Sequence, residues 1–186
     1  MESVTTLPWG RPLTRDDLDA MPDDGHRYEL VDGALLVTPA PSARHQTGVG
    51  QLYVLLRAAL AGSDLRVLFA PFEVRLAHDT VVQPDLLVAS RADFTERNLP
   101  VAPLLAVEVL SPSTQRIDRF LKHSRYAAAG VEHYWVVDPI EPNLTAWRLN
   151  AGLGTYEEAG HAAGAEAFHA TEPVTVTIVP AELVTD

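Results

Sequence analysis

The sequence contains no cysteine, has a single lysine and carries no long hydrophobic run. Without cysteine, the chain cannot form disulfides, thiolate zinc sites, iron–sulfur clusters or a cysteine nucleophile. No stretch approaches the ~18 apolar residues of a membrane-spanning helix. Charged residues between Arg11 and Asp19 also interrupt the place where a signal peptide has its apolar region. We therefore expect a cytoplasmic protein without a membrane segment.

Positive charge is scarce as well. The 186 residues include 14 Lys and Arg against 25 Asp and Glu, which gives a formal net charge of −11 at pH 7. Such a protein does not attract nucleic acid over its whole surface, so any contact with phosphate has to be local. The basic cluster of this sequence consists of Arg116, Arg119, Lys122 and Arg125, close to His123. We interpret this cluster either as the solvated face of a helix or as a local phosphate-binding site.

The length fits one domain over residues 1–186. We divide it into an N-terminal arm (1–25), a core (26–149) and a C-terminal extension (150–186). Asp32-Gly33 between two apolar runs predicts a β-hairpin over 27–38. Apolar residues at helical spacing predict helices over 43–61 and from Ser113 or Thr114 to 129, and a short helix over 14–20.

Apolar runs predict strands at 65–76, 81–89, 104–110, 133–137, 143–149 and 174–179, whereas 151–170 is expected to be a loop or loose hairpin. Short links between the first three strands suggest an antiparallel meander, and the strand–helix–strand unit over 104–137 suggests a parallel crossover. The expected fold class is α/β, with a mixed sheet flanked by helices.

Two acidic residues stand in strands that are otherwise apolar. Asp85 is the only charge in 81–89, and Glu108 is the only charge in 99–110. A carboxylate in such a strand costs several kcal/mol unless it is paired, hydrogen-bonded or bound to a metal. One alternative is that each acid is neutralised by an arginine or caps a neighbouring backbone group. If successive strands place the two side by side, they favour a cation between them, and oxygen ligands favour Mg²⁺ or Mn²⁺.

Lys122 is a candidate partner for these acids. It lies in the helix that follows the Glu108 strand, four residues after Asp118 and four before Tyr126. One interpretation is a surface pair with Asp118, worth a few tenths of a kcal/mol. The other is a site that needs a compact point charge, because every other basic residue counted at neutral pH is arginine.

These residues form a pattern that resembles a known family. Pro84-Asp85 followed by Val107-Glu108-Val109 is similar to the PD-(D/E)XK nuclease signature. The segments 27–33 (RYELVDG), 83–86 (QPDL), 107–114 (VEVLSPST) and 134–139 (YWVVDP) resemble the Uma-two family of restriction-endonuclease-like proteins. The resemblance runs from Arg27 to about Leu149 and implies a restriction-endonuclease-like core with metal-dependent hydrolysis of phosphodiesters, most simply in DNA.

The resemblance also implies roles for individual residues. Asp85 and Glu108 would bind Mg²⁺ or Mn²⁺, with the Val109 carbonyl as third ligand, and Glu29 is a tentative further acid. The superfamily places lysine two residues after the glutamate, where this sequence has Leu110. The resemblance therefore assigns the function of this lysine to Lys122. The ammonium of Lys122 would orient water or stabilise developing negative charge.

Other interpretations stay open. Glu29 could simply pair with Arg27 or Arg44, and His45 on the apolar stripe of its helix is expected to be a core histidine. Tyr126 is expected to pack or to hydrogen-bond, and Trp135 to lie in the core. The competing function is a catalytically idle module of the same fold that binds other proteins. Two cuts in a duplex would favour a homodimer.

Overall fold

A computed structural model describes residues 10–22, 25–111 and 121–185. Within these ranges the helices are α1 (Arg15–Asp19), α2 (Ala43–Ala59) and α3 (His123–Ala128), with 3₁₀ turns at Arg91–Asp93 and Pro180–Val184. The strands are β1 (Arg27–Val31), β2 (Ala34–Thr38), β3 (Leu65–Phe69), β4 (Glu73–Ala77), β5 (Thr80–Val82), β6 (Leu86–Ser90), β7 (Asn98–Leu99), β8 (Leu105–Val109), β9 (His133–Asp138), β10 (Asn143–Asn150), β11 (Thr155–Ala163), β12 (Phe168–Ala170) and β13 (Val176–Ile178).

A six-stranded mixed sheet forms the centre of the fold, in the order β11-β10-β9-β8-β6-β3. Strands β3, β6 and β8 are antiparallel neighbours, and β8 pairs with β9 in parallel. The predicted meander and the predicted parallel crossover are therefore confirmed. A second sheet has the order β2-β1-β5-β4-β7, and β12 pairs with β13.

The central strands are apolar on both faces because both faces are covered. Leu86 and Val107 pack in one core cluster with Leu52 of α2. The alternate residues Leu87 and Ala106 pack in a second cluster, with side chains from the second sheet and from α3. This double burial accounts for the continuous apolar runs, and it leaves a polar residue in these strands without access to bulk water.

Two predicted strands are wrong in extent because each contains a proline. The run 65–76 divides into β3 and β4, which lie in different sheets, and Pro71 stands between them. The run 81–89 divides in the same way into β5 and β6, with Pro84 between them. Proline has no N–H to donate to a ladder, so the chain leaves one sheet there and enters the other.

The C-terminal part is more regular than expected. The segment 151–170, predicted as a loop or loose hairpin, contains β11, which pairs with β10 over its length, and β12. Phe168 of β12 packs edge-on against Trp135, with ring centroids 5.5 Å apart. Trp135 is 1% exposed, which confirms it as a core residue. The predicted start of the helix at Ser113 or Thr114 lies outside the described residues.

The hairpin of β1 and β2 is confirmed. Asp32 and Gly33 both have positive φ, 51° and 74°, as a two-residue turn of this kind requires. A side chain at Gly33 would also meet Pro12, whose Cβ lies 2.4 Å from the position of an added Cβ. Gly33 therefore fixes both the turn and the contact between the hairpin and the segment before α1.

We expect Gly33→Ala to lower the free energy of unfolding by more than Gly62→Ala. Both glycines have positive φ, 74° and 80°, but an added Cβ at Gly62 meets nothing within 4 Å. Backbone strain alone should cost about 1–2 kcal/mol at either position, and the clash with Pro12 should add about 1–3 kcal/mol at Gly33. Urea denaturation of the two variants measures this difference. Equal losses would mean that the segment before α1 yields to the new side chain.

Among the helices that the structure describes, none combines the length and the apolar character needed to cross a bilayer.

Candidate active site

The two acids singled out in the sequence stand at the ends of adjacent central strands. Leu86 of β6 pairs with Val107 of β8, and Asp85 and Glu108 are the next residues outward in this antiparallel register. Asp85 is 3% exposed and Glu108 is 0% exposed. Both carboxylates are therefore withdrawn from bulk water and depend on neighbouring groups for their stabilisation.

Three acids and their donors form one connected set, which we call the buried charge chain. Its members follow one another by hydrogen bonds or ion pairs in the order His45, Asp85, Arg27, Glu29, Lys122, Glu108 and Tyr126. They come from β1, α2, β8, α3 and the segments just before β6 and α3. Carboxylates alternate with nitrogen donors along most of this set, so each of the three carboxylates has at least one nitrogen donor beside it.

Asp85 is held from three sides. Arg27 Nη1 donates to Oδ1 over 3.1 Å, His45 Nε2 lies 3.2 Å from Oδ2, and the Val109 N–H donates to Oδ2 over 2.9 Å. Ser42 caps α2 and accepts a hydrogen bond from the His45 N–H, which sets His45 in the first turn. Burial alone would raise the pKa of Asp85, but the hydrogen bond and charge of His45, with the Arg27 charge, hold this pKa below its ordinary value.

Lys122 joins the other two acids. Its Nζ lies 3.0 Å from Oε1 of Glu29 and 3.1 Å from Oε1 of Glu108, and its side chain is 2% exposed. Glu29 Oε1 also accepts the Gln83 N–H over 2.7 Å, whereas its Oε2 is 3.9 Å from Arg27 Nη2. The ammonium thus lies between two buried carboxylates, at a place where an unpaired charge would be costly.

Tyr126 of α3 is the last member of the buried charge chain. Its hydroxyl donates to Glu108 Oε1 over 2.8 Å, which confirms the expected hydrogen-bonding role. Complete burial, together with the Glu108 carboxylate, raises the pKa of Tyr126 well above its ordinary value. The phenol therefore stays protonated and acts as a donor toward Glu108.

The interpretation of Lys122 as a solvated surface cation is wrong, because the side chain is buried. Asp118, its proposed surface partner, and Arg116 and Arg119 of the basic cluster lie outside the described residues. Arg125, the remaining member of that cluster, is half-exposed and pairs with Asp32 of the hairpin turn. Of the described members, one is thus buried and the other has an acidic partner.

Arg27, Gln83 and His45 lie close to the acids, although we did not predict them as site residues. Gln83 stands in the same apolar run as Asp85, so the argument applied to the lone acids also singles out this residue. No spacing in the sequence connects β1 or α2 with Asp85, so the contacts of Arg27 and His45 could not be derived from it. His45 is buried, as expected, but its ring contacts a carboxylate.

The residues predicted as metal ligands are near one another without forming a cluster of three side chains. Within 10–22, 25–111 and 121–185, no three His, Asp or Glu side chains are placed so that they could hold one ion. Val109, predicted to contribute its carbonyl, directs its N–H at Asp85. The metal-binding roles of Asp85, Glu108 and Val109 stay predictions.

A cavity of about 740 Å³ adjoins the Asp85 end of the buried charge chain. Arg27, His45 and Asp85 contribute to its wall, together with Gln83 and Phe69. Glu29, Glu108 and Lys122 do not line it. Arg27, His45 and Asp85 are therefore the members of the buried charge chain that line this cavity.

An aromatic cluster fixes the start of α3 and with it the position of Lys122. The ring of His123 lies edge-on to Tyr134, Trp147 and Tyr156, with centroid distances of 5.8, 5.4 and 4.9 Å. Burial lowers the pKa of His123 below its ordinary value of 6.5. The folded protein therefore favours the neutral ring at the residue that follows Lys122.

We expect acidification to destabilise the protein in part through His123. Because the pKa of His123 is lower in the folded state, the unfolded chain takes up a proton first as the pH falls below about 6.5. The stabilisation by the neutral ring is present above that pH and is lost below it. His123→Phe should reduce the decrease in melting temperature between neutral and mildly acidic pH. Trp147→Phe, which disturbs the same cluster without removing a titrating group, should keep the wild-type pH dependence. If the melting temperature of His123→Phe fell as much with pH as that of the wild type, this role of His123 would be contradicted.

Comparison with known proteins agrees with this architecture. The model of the family described as "Uma2: Putative restriction endonuclease" matches residues 15–181. A crystal structure of a "putative nuclease belonging to DUF820" from Anabaena variabilis ATCC 29413 superposes with a TM-score of 0.65 and 17% sequence identity. The match covers 79% of this chain and 84% of that chain. At this identity the similarity shows a shared fold. No curated protein is detectably similar to the chain.

Proposed function

The chain belongs to the Uma2 family of putative restriction endonucleases, and we propose that it is a divalent-metal-dependent endonuclease that hydrolyses phosphodiester bonds in DNA. The observation that carries this proposal is the only lysine of the sequence, Lys122, buried between Glu29 and Glu108. Replacement of a whole buried ionic group, the cation together with its carboxylates, by apolar residues is often neutral or stabilising. An idle scaffold therefore has no need of it, whereas a site for phosphate chemistry has.

The donor set fits Mg²⁺ or Mn²⁺. Asp85 and Glu108 lie opposite each other, one position beyond the Leu86–Val107 pair of β6 and β8. Their side chains offer only hard oxygen ligands. Mg²⁺ keeps several waters and is usually bound by one or two carboxylates, so a third side chain is not required. We assign Asp85, Glu108 and the Val109 carbonyl as its ligands. When bound, the metal would make water more acidic and offset the charge of the scissile phosphate.

The remaining members of the buried charge chain would stabilise the charge of the phosphate or hold the groups that do so in position. The Lys122 ammonium, a compact donor, would stabilise negative charge that develops on the phosphate. Glu29 and the Tyr126 hydroxyl fix the groups they contact, since Glu29 accepts from Lys122 and Tyr126 donates to Glu108. Arg27 at the cavity wall adds a positive charge next to Asp85. These assignments extend the proposal to Glu29 as a positioning residue.

The competing function is an idle module of the same fold that binds proteins. The net charge of −11 favours it, because few positive charges are available to hold a duplex.

We also propose a cytoplasmic location and a homodimer. For the homodimer, light scattering during size-exclusion chromatography would give a mass near twice 20.2 kDa.

A cleavage assay tests the proposal. Plasmid DNA and short single-stranded and duplex oligonucleotides are incubated with the protein in Mg²⁺, in Mn²⁺ and with a chelator. We expect metal-dependent cleavage of DNA by the wild type and a loss of at least about a hundredfold in Glu108→Gln. Equal cleavage by both proteins would identify a contaminating nuclease. Absence of cleavage for every substrate and metal would favour the idle module.

A further inference from the structure

A second cavity adjoins the one beside Asp85, and the proposed hydrolysis does not account for it. Its volume is about 620 Å³, and its wall shares Pro71 and Gln83 with the wall of the first cavity. Both volumes fall within the range of about 300–1,000 Å³ that is usual for ligand sites. A long ligand that begins beside Asp85 can therefore extend past these shared residues into the second cavity.

The segment 69–73, which joins β3 to β4, is a common wall of the two cavities. Its first residues line the first cavity, and from Pro71 onward it lines the second. Phe69 is exposed, and Phe72 packs against Phe94 with ring centroids 5.8 Å apart. Aromatic side chains next to positive charge are typical of grooves that bind nucleic acid strands, because rings contact bases while cations contact the backbone.

The charge along the two cavity walls differs from that of the whole protein. The sequence has 14 Lys and Arg against 25 Asp and Glu, whereas the walls carry equal numbers of arginines and acids. They are Arg15, Arg27 and Arg97 with Asp19, Glu73 and Asp85. Phosphate can approach an acidic protein where negative charge is not in excess. The divalent cation proposed at Asp85 would make this region positive.

Arg97 is the arginine of these walls that has no acidic partner in the described part of the chain. Arg27 pairs with Asp85 over 3.1 Å, and Arg15 pairs with the two acids of the second cavity over 2.9 and 2.8 Å. Within residues 10–22, 25–111 and 121–185, no acidic side chain forms an ion pair with Arg97, which is exposed. Its guanidinium is therefore accessible to a ligand.

The backbone that carries Arg97 is fixed, although the side chain is exposed. Arg97 directly precedes β7, and the Thr95 hydroxyl accepts the N–H groups of Arg97 and Asn98 over 3.3 and 3.0 Å. The same hydroxyl donates to the Asn98 carbonyl over 2.8 Å. A guanidinium stays protonated in proteins and offers its donors in a planar fork that matches phosphate. The second cavity thus has a permanent cation at a defined point of its wall.

We propose that Arg97 binds a backbone phosphate of the substrate, so that a DNA strand passes from Asp85 along residues 69–73 into the second cavity. This inference rests on the proposed nuclease function, because it extends the binding site of that substrate beyond the residues assigned to hydrolysis. Arg97 is not a member of the buried charge chain, so it contributes to affinity and not to the chemical step. A contact with the backbone is also independent of base sequence.

The salt dependence of DNA binding tests this contact. Fluorescence anisotropy measures the affinity for a labelled oligodeoxynucleotide at several salt concentrations, with a chelator present to prevent cleavage. Each phosphate contact adds about 1 to the slope of log affinity against log salt concentration. Arg97→Ala should therefore lower this slope by about 1 and weaken binding about fivefold. Arg97→Lys keeps the charge and should keep the slope of the wild type.

Arg91→Ala is the matched control. Arg91 is exposed, has no acidic partner among the residues that the structure describes, and lines neither cavity. Its replacement removes the same charge from a different place, so the slope and the affinity should both stay close to those of the wild type. Since both arginines are exposed, neither variant should change the melting temperature.

Each result bears on the inference. An unchanged slope in Arg97→Ala, an equal decrease in Arg91→Ala or in Arg97→Lys, or a wild type that binds no DNA overturns it. Metal-dependent cleavage together with unaltered DNA binding by Arg97→Ala supports the proposed function and overturns the inference. A slope lowered in Arg97→Ala alone, in a protein that cleaves no DNA in any metal, supports the phosphate contact and overturns the proposed function.

Discussion

Replacement of Lys122 by methionine is expected to lower the free energy of unfolding by about 3–5 kcal/mol. The ammonium lies 3.0 Å from Glu29 Oε1 and 3.1 Å from Glu108 Oε1, and its side chain is 2% exposed. Methionine keeps most of the volume but leaves two carboxylates close together without the positive charge between them. An uncompensated buried charge is the costly case, because water cannot replace the lost partner.

Arg125→Met is the matched control for this measurement. Arg125 lies in the same helical region and pairs with Asp32, but the two side chains are 39% and 44% exposed. Loss of an exposed pair of this kind should cost about 1 kcal/mol or less. Urea denaturation at neutral pH compares the two variants. Similar losses in both would show that Lys122 behaves as a surface cation despite its burial.

A rescue experiment identifies the cause of the destabilisation. If the two carboxylates are responsible, then Glu29→Gln together with Glu108→Gln should restore part of the stability of Lys122→Met, because neutral amides need no cation. Double-mutant analysis of these neighbouring residues should give a coupling energy of about 0.5–3 kcal/mol. Additive losses would instead point to altered packing around the methionine.

Much of the fold could be predicted because single residues decide it locally. Asp32-Gly33 predicts the hairpin since both residues tolerate positive φ, and the structure has φ values of 51° and 74° there. Continuous apolar runs predict central strands because such strands are buried on both faces. Pro71 and Pro84 mark the points where the runs 65–76 and 81–89 divide between two sheets. The division was not predicted, because the apolar residues on both sides of each proline are typical of one continuous strand.

The sequence predicts the buried acids of the candidate site better than it predicts the cations that contact them. Asp85 and Glu108 stand out because a charge in an apolar strand is rare, and this signal is local. Arg27 and His45 reach Asp85 from 58 and 40 residues away in sequence. Such contacts depend on how β1 and α2 pack near β6, which no spacing along the chain records. Gln83 is an intermediate case, since it is the lone amide of its apolar run.

The roles proposed for Glu29 and Glu108 predict different effects of one chemical change. Both residues contact the Lys122 ammonium through Oε1, so Glu29→Gln and Glu108→Gln remove the same charge from the same cation. They should therefore lower stability by similar amounts. In our assignment Glu108 is a metal ligand and Glu29 is not, since Glu29 positions Lys122 and accepts the Gln83 N–H.

Titration calorimetry with Mn²⁺ and single-turnover cleavage of DNA separate these two roles. Glu108→Gln should lose Mn²⁺ binding and about 10²–10³-fold or more in cleavage rate, because the group that places the metal is gone. Glu29→Gln should still bind Mn²⁺, with a cleavage rate about 10–100-fold lower, as expected for a residue that acts through its neighbour. If both variants lose Mn²⁺ binding, then Glu29 is itself a ligand and the metal lies nearer to Lys122 than we propose. If both retain it, then the metal is not held by Glu108, and Asp85 has to be its principal ligand.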